Sequence, residues 1–150
     1  MHVHQKRGRA TAARALLLWA AALLTSARVE RALADDAPAT FIAGRILGAS
    51  GSYEVRVALW DARGFLVRPA QELRLPPGAE TTYRFVVRPG RWAVSAFEDR
   101  NGNGVLDQGT FGPKEPSGFW RPFHAWHKPA FDEVASSVER PIADADVTLK

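Results

Sequence analysis

TYRFVVRPGRWAVSAFE, Thr82 to Glu98, is the stretch whose reading decides the fold. Its first half sets Tyr83, Phe85 and Val87 on one side of the chain. A period of two marks a strand with one buried face. Pro89-Gly90 follows, with Pro presetting φ and Gly accepting φ > 0, and is a turn signal. The chain returns as Arg91–Glu98, with Trp92 and Val94 on one face and Phe97 on the other. Two alternating runs around a turn dipeptide predict a β-hairpin.

The same signal extends outward. YEVRVALW places Tyr53, Val55, Val57 and Leu59 on one face and Glu54 and Arg56 on the other. TFIAGRIL (Thr40–Leu47), QELRL (Gln71–Leu75) and the closing DVTLK read as further strands, with Val147 and Leu149 toward the core. FDEVASSVE, from Phe131, is a weaker strand reading. GASGS (Gly48–Ser52), DARG (Asp61–Gly64) and PPG (Pro76–Gly78) separate these runs as turns. No helical period persists beyond the N-terminal region. About seven short strands predict an all-β fold, a single antiparallel β-sandwich of immunoglobulin-like or transthyretin-like type.

The N-terminus reads as an address. MHVHQKRGRATAAR is basic, and ALLLWAAALL (Ala15–Leu24) is an apolar run of signal-peptide length, too short for a membrane span. Cleavage motifs end at Ala27 and at Ala34, the second before Asp35-Asp36. The expected organisation is a signal peptide over 1–34, a disordered entry over 35–39, and a sandwich over 40–150 with a long loop at 99–129. The product is expected to be exported, periplasmic or secreted, with no membrane span after cleavage. Six of the 20 basic residues but one of the 16 acids lie in 1–34, so the remainder is close to neutral. No basic patch survives for nucleic acid. The chain has no cysteine, so the domain must hold together by burial, with or without an ion.

The long loop begins DRNGNGVLD. Counting from Asp99, ligand-type groups fall at Asp99, Asn101, Asn103, the carbonyl of Val105, and Asp107, with Gly104 at the sharp turn. Alternate oxygens on a tight loop suit calcium, at the weak end of affinity, about 10⁻⁴–10⁻³ M. The position for a bidentate glutamate is Thr110; Glu115 is an acid that could fold back to replace it, though nothing in the spacing requires this. Asn and Gly are equally the natural residues of a metal-free turn. Both readings stand on the sequence.

Three pieces in order, WAVSAFEDRNGNGVLD, GPKEPSGF (Gly112–Phe119) and KPAFDEVA (Lys128–Ala135), resemble a widespread group of short exported bacterial proteins known as a domain of unknown function. The resemblance spans essentially the whole chain after the leader. It implies a signal peptide and a β-sandwich. The family's polar loop falls on Asp99, Asn101, Asn103 and Asp107, and its second motif on Pro113, Lys114, Glu115, Gly118 and Phe119. Here Gly112 runs directly into Pro113, and WRPFHAWHKP stands where such proteins carry Asn-rich residues.

That segment interleaves Phe119, Trp120, Phe123 and Trp126 with Arg121, His124, His127 and Lys128. Aromatics beside Arg suit a binding surface for an envelope protein, a peptide or a glycan. They equally suit a minicore over one end of the sandwich, the preferred reading for a small cysteine-free domain. Candidate binding residues are Lys114, Glu115, Phe119, Trp120, Arg121 and Trp126. His124 and His127 fall short of a zinc set, which needs about three protein ligands. No nucleophile motif is present. The sequence therefore predicts an exported, non-catalytic module. Its loop is either calcium-ordered, presenting the aromatic-basic surface, or metal-free in an accessory envelope domain. A hydrolase using the loop carboxylates or His124/His127 is a third, weaker reading.

Overall fold

The computed structural model describes residues 39–124 and 127–150. The leader, most of the entry segment and Trp126 lie outside the described residues. Among the described residues are ten strands, β1 (Thr40–Leu47), β2 (Glu54–Trp60), β3 (Gln71–Leu75), β4 (Thr82–Val87), β5 (Gly90–Asp99), β6 (Gln108–Gly109), β7 (Gly112–Pro113), β8 (Ser117–Phe119), β9 (Ser136–Val138) and β10 (Val147–Thr148), and one helical turn, α1 (Phe131–Val134).

They form an all-β sandwich. One sheet runs β10-β1-β4 and the other β3-β2-β5-β8, with β9 on the start of β5 and a small β6-β7 ribbon apart. The alternating residues of the sequence meet between the sheets: Ile42, Ile46, Val55, Val57, Leu59, Tyr83, Phe85, Val87, Val94, Ala96 and Val147 are all buried. Each large apolar side chain so buried contributes about 1.5–3 kcal/mol.

Several expectations need correction. Strands β4 and β5 are not a hairpin: β4 pairs with β1, β5 with β2, and Pro89 leads from one sheet to the other. Strands facing each other across a core and strands lying side by side carry the same alternation, so the pattern alone does not separate them. Tyr53 precedes β2 and is 41% exposed. β10 runs parallel to β1, with Ile46 opposite Val147. FDEVASSVE is not one strand but the turn of α1 followed by β9, which explains its poor alternation. The interval 99–129 holds three short strands, one of which, β8, joins the larger sheet.

One side of the sandwich is closed. Ser117 and Lys150 exchange backbone hydrogen bonds of 3.3 Å, tying β8 to the chain end. Gly118 makes this possible, since a Cβ there would lie 2.1 Å from the Thr148 carbonyl oxygen. A second, smaller cluster covers the outer face of the larger sheet. Ala93, Val134 and Ala135 are buried there beneath Trp60, Phe65, Phe119, Phe123 and Phe131.

Candidate functional site

Strand β5 ends in two successive buried acids. Glu98 is 0% and Asp99 4% exposed, and Glu115, just before β8, is 6% exposed. Buried carboxylates must be paired or hydrogen-bonded, so the root of the loop is defined by what meets these three.

Glu98 points toward the β1–β2 turn. Its Oε1 accepts from the Ser50 N–H at 2.7 Å and Ser50 Oγ at 2.5 Å, and its Oε2 accepts from Arg100 Nε at 3.1 Å. Burial pushes this carboxyl upward, but the Ser50 hydrogen bonds and the Arg100 guanidinium outweigh it and leave the group below its ordinary range. Glu115 folds back onto the loop backbone. It accepts from the backbone N–H of Arg100 at 2.8 Å and of Asp107 at 3.3 Å, and so staples the two ends together.

Asp99 Oδ2 accepts from the Gly104 N–H at 2.8 Å and from Arg56 Nε at 3.2 Å. Its Oδ1 is buried without a hydrogen-bond partner among the described residues. Arg56 reaches this point from β2, which pairs with β5. The same guanidinium meets Glu54 at 3.1 Å and Glu72 at 2.9 Å, so one cation stands among three carboxylates. It also presses against the loop backbone: a Cβ on Gly104 would lie 2.9 Å from Arg56 Nη2. The φ of Gly104, +80°, is what favours glycine at that position.

The rest of the loop closes on itself. Asn101 Oδ1 accepts from the Asn103 N–H and Asn103 Oδ1 from the Val105 N–H, two successive Asx turns. Those turns aim both amide nitrogens at Asp107 Oδ2, at 2.6 and 3.3 Å. The five predicted ligand positions thus lie along one turn, but the side-chain oxygens of Asn101 and Asn103 and one oxygen of Asp107 are engaged by the loop itself. Among the described residues no group of three or more His, Asp or Glu side chains is placed to hold a metal.

The predicted binding residues scatter. Lys114 is exposed, and its backbone N–H donates to the Asp107 carbonyl at 2.9 Å. Phe119 joins the outer aromatic cluster, whereas Trp120 packs against the main core. Phe119 ends β8 and Trp120 follows it onto the opposite side of the sheet, so these two do not share a platform. Arg121 donates to the Ala135 carbonyl at 2.8 Å. His127 stands edge-on to Phe123 and meets Glu133 at 3.1 Å, while His124 is exposed nearby. The Ala130 N–H is the chief influence on Glu133 and, with His127, holds that carboxyl below its ordinary value.

Sequence reasoning missed Arg56, Glu72 and Glu98. Glu54 and Arg56 were legible as the outward face of β2. Nothing in the chain announced that this face lies beneath a loop more than 40 residues away, as Arg56 and Asp99 are (|i−j| = 43). Among the described residues no helix is long and apolar enough to cross a membrane. A family model described as an uncharacterized protein conserved in bacteria matches residues 50–145, which takes in strands β2–β9 and the entire loop. No curated protein and no solved structure matches the chain.

Proposed function

The chain belongs to the family of uncharacterized proteins conserved in bacteria, DUF2141, and on that premise we propose that it is an exported, non-catalytic β-sandwich module of the bacterial envelope. Its loop is pre-organised from within and serves to hold the flanking surfaces in place. One observation carries this reading: the Arg56 guanidinium sits against Asp99 and Gly104, where it supplies the positive charge an ion would otherwise bring. Glu115 and one oxygen of Asp99 act as backbone anchors, accepting from the N–H groups of Arg100, Asp107 and Gly104, and Glu98 meets Arg100. Export rests on the basic segment and apolar run at the N-terminus. Its ligand class is an envelope protein, a peptide or a glycan.

A second reading has a specific observation in its favour. The partnerless, buried Oδ1 of Asp99 is the oxygen a weakly bound calcium ion would satisfy. Thermal unfolding of the purified chain in chelator, and then across a millimolar calcium titration, separates the two. For the pre-organised loop the midpoint is indifferent to calcium and chelator. For a calcium site of millimolar affinity, ten times Kd stabilises the parent by about 1.4 kcal/mol, an effect that Asp99→Ala and Asp107→Ala abolish.

A further inference from the structure

The chain crosses from one sheet to the other between β9 and β10, and the crossing borders a half-open hollow of ≈600 Å³. It is lined by Trp120, Ser137, Glu139, Arg140, Pro141, Ile142, Ala143 and Asp144. This hollow is separate from the polar turn of Asp99–Asp107, and Trp120 is the one residue of the 99–129 interval that lines it. Trp120 and Ile142 both pack against the main core, so its apolar part is anchored. The backbone on both sides is pinned as well: Trp120 N–H donates to the Val94 carbonyl at 2.9 Å, and Ile142 bridges β1 through Phe41 and Ala43 at 3.0 and 2.8 Å.

The polar groups around that floor are largely uncommitted. Glu139 accepts from Ser137 Oγ at 2.9 Å through one oxygen. Arg140 and Asp144 are exposed and form no side-chain hydrogen bond or ion pair with any described residue. The indole N–H groups of Trp60 and Trp92 are bonded to Ser95 and to the Arg88 carbonyl, whereas that of Trp120 has no partner among the described residues. The lining thus carries one indole whose N–H has no partner among the described residues, one guanidinium and two carboxylates.

We propose that this hollow binds a pyranose unit of a neutral oligosaccharide. The flat C–H face of a sugar ring suits an aromatic platform. Its hydroxyls, each donor and acceptor at once, suit a rim holding both kinds of partner. Two carboxylates against one guanidinium disfavour an anionic ligand, and a single aromatic is not the cage by which cations are selected. This deepens the reading of a non-catalytic binding module by naming the ligand class.

The test titrates the purified chain with glucose tetrasaccharides (β-1,4 and α-1,4) and with β-1,4-linked N-acetylglucosamine tetrasaccharide, to about 20 mM. The indole N–H resonance of Trp120, assigned through Trp120→Phe, reports binding, and chromatography of the mixture reports cleavage. The expected result is saturable shifting of that resonance by at least one sugar. Binding weakens by about five- to tenfold in each of Arg140→Ala and Asp144→Ala, both exposed positions, and is unchanged in His127→Ala. No shift with any of the three sugars overturns the proposal, as does binding indifferent to Arg140→Ala and Asp144→Ala. A short peptide that shifts the resonance where the sugars do not overturns it too. Sugar shortened during the titration, with the two variants still weakening binding, upholds the site and refutes the non-catalytic reading alone.

Discussion

Arg56→Ala tests whether the loop is held from beneath. The Arg56 side chain is 13% exposed and that of its partner Asp99 2%, so this contact is shielded on both sides. Glu54 and Glu72 are 33% and 37% exposed, and their pairs with Arg56 are screened by solvent. The cost of the substitution therefore comes almost wholly from leaving Asp99 buried and unpaired, about 3–5 kcal/mol. In a domain of this size that lowers the thermal midpoint by about 15 °C or more. Urea unfolding of the parent, Arg56→Ala, Asp99→Asn and the double variant measures it. The neutral Asn needs no counter-charge, so the double variant regains about 1–3 kcal/mol relative to the sum of the single changes. The Asp99 contact, being buried, is also little altered by added salt. A cost below about 1 kcal/mol for Arg56→Ala, or simple additivity in the cycle, refutes the inference that this pair anchors the loop.

Three further outcomes are expected. Glu98 is held below its ordinary 4.5 by Ser50 and Arg100, so its contribution is complete above that value and is lost as pH falls through the lowered folded value; Glu98→Gln flattens the acid limb of a stability–pH profile, and an unaltered limb contradicts the assignment. The Tyr83 hydroxyl donates to the buried Ala145 carbonyl, and burial first, then the Asp146 charge, pushes the phenol above its ordinary 10.0. Its contribution holds below that value and decays as pH rises toward the folded one. Tyr83→Phe costs about 1–2 kcal/mol and removes this alkaline decay, as pH-dependent urea unfolding would register. Gly118→Ala drives a Cβ against the Thr148 carbonyl and costs about 3 kcal/mol or more in denaturant unfolding, whereas Gly78→Ala meets nothing within 4 Å and costs about 1 kcal/mol through its φ of +74°.

Strand positions were the legible part of this chain. Thr40–Leu47 and Gln71–Leu75 have the same bounds in the sequence reading and in the structure. The period of two in YEVRVALW and TYRFVV names the buried residues correctly from Val55 to Val87. FDEVASSVE was illegible as a unit because its helical turn is too short to show a period. The polar loop was legible as a turn, with Gly104 at its sharpest point. Its internal bonding was not, because an Asn oxygen that ligates an ion and one that closes an Asx turn occupy the same position in a sequence.

By itself, then, the sequence determined the class of fold, the inward face of each main strand, the site of the loop and its likeness to a bacterial family. These follow from local rules, in which backbone geometry converts residue spacing directly into direction. Tertiary structure alone decided that β4 and β5 lie in different sheets, that Arg56 stands beneath Gly104, that Glu115 staples the loop, and that Phe119 and Trp120 part company. Each of these depends on which distant segments become neighbours. That choice is made by the summed burial of the whole core, and no single stretch of the chain encodes it.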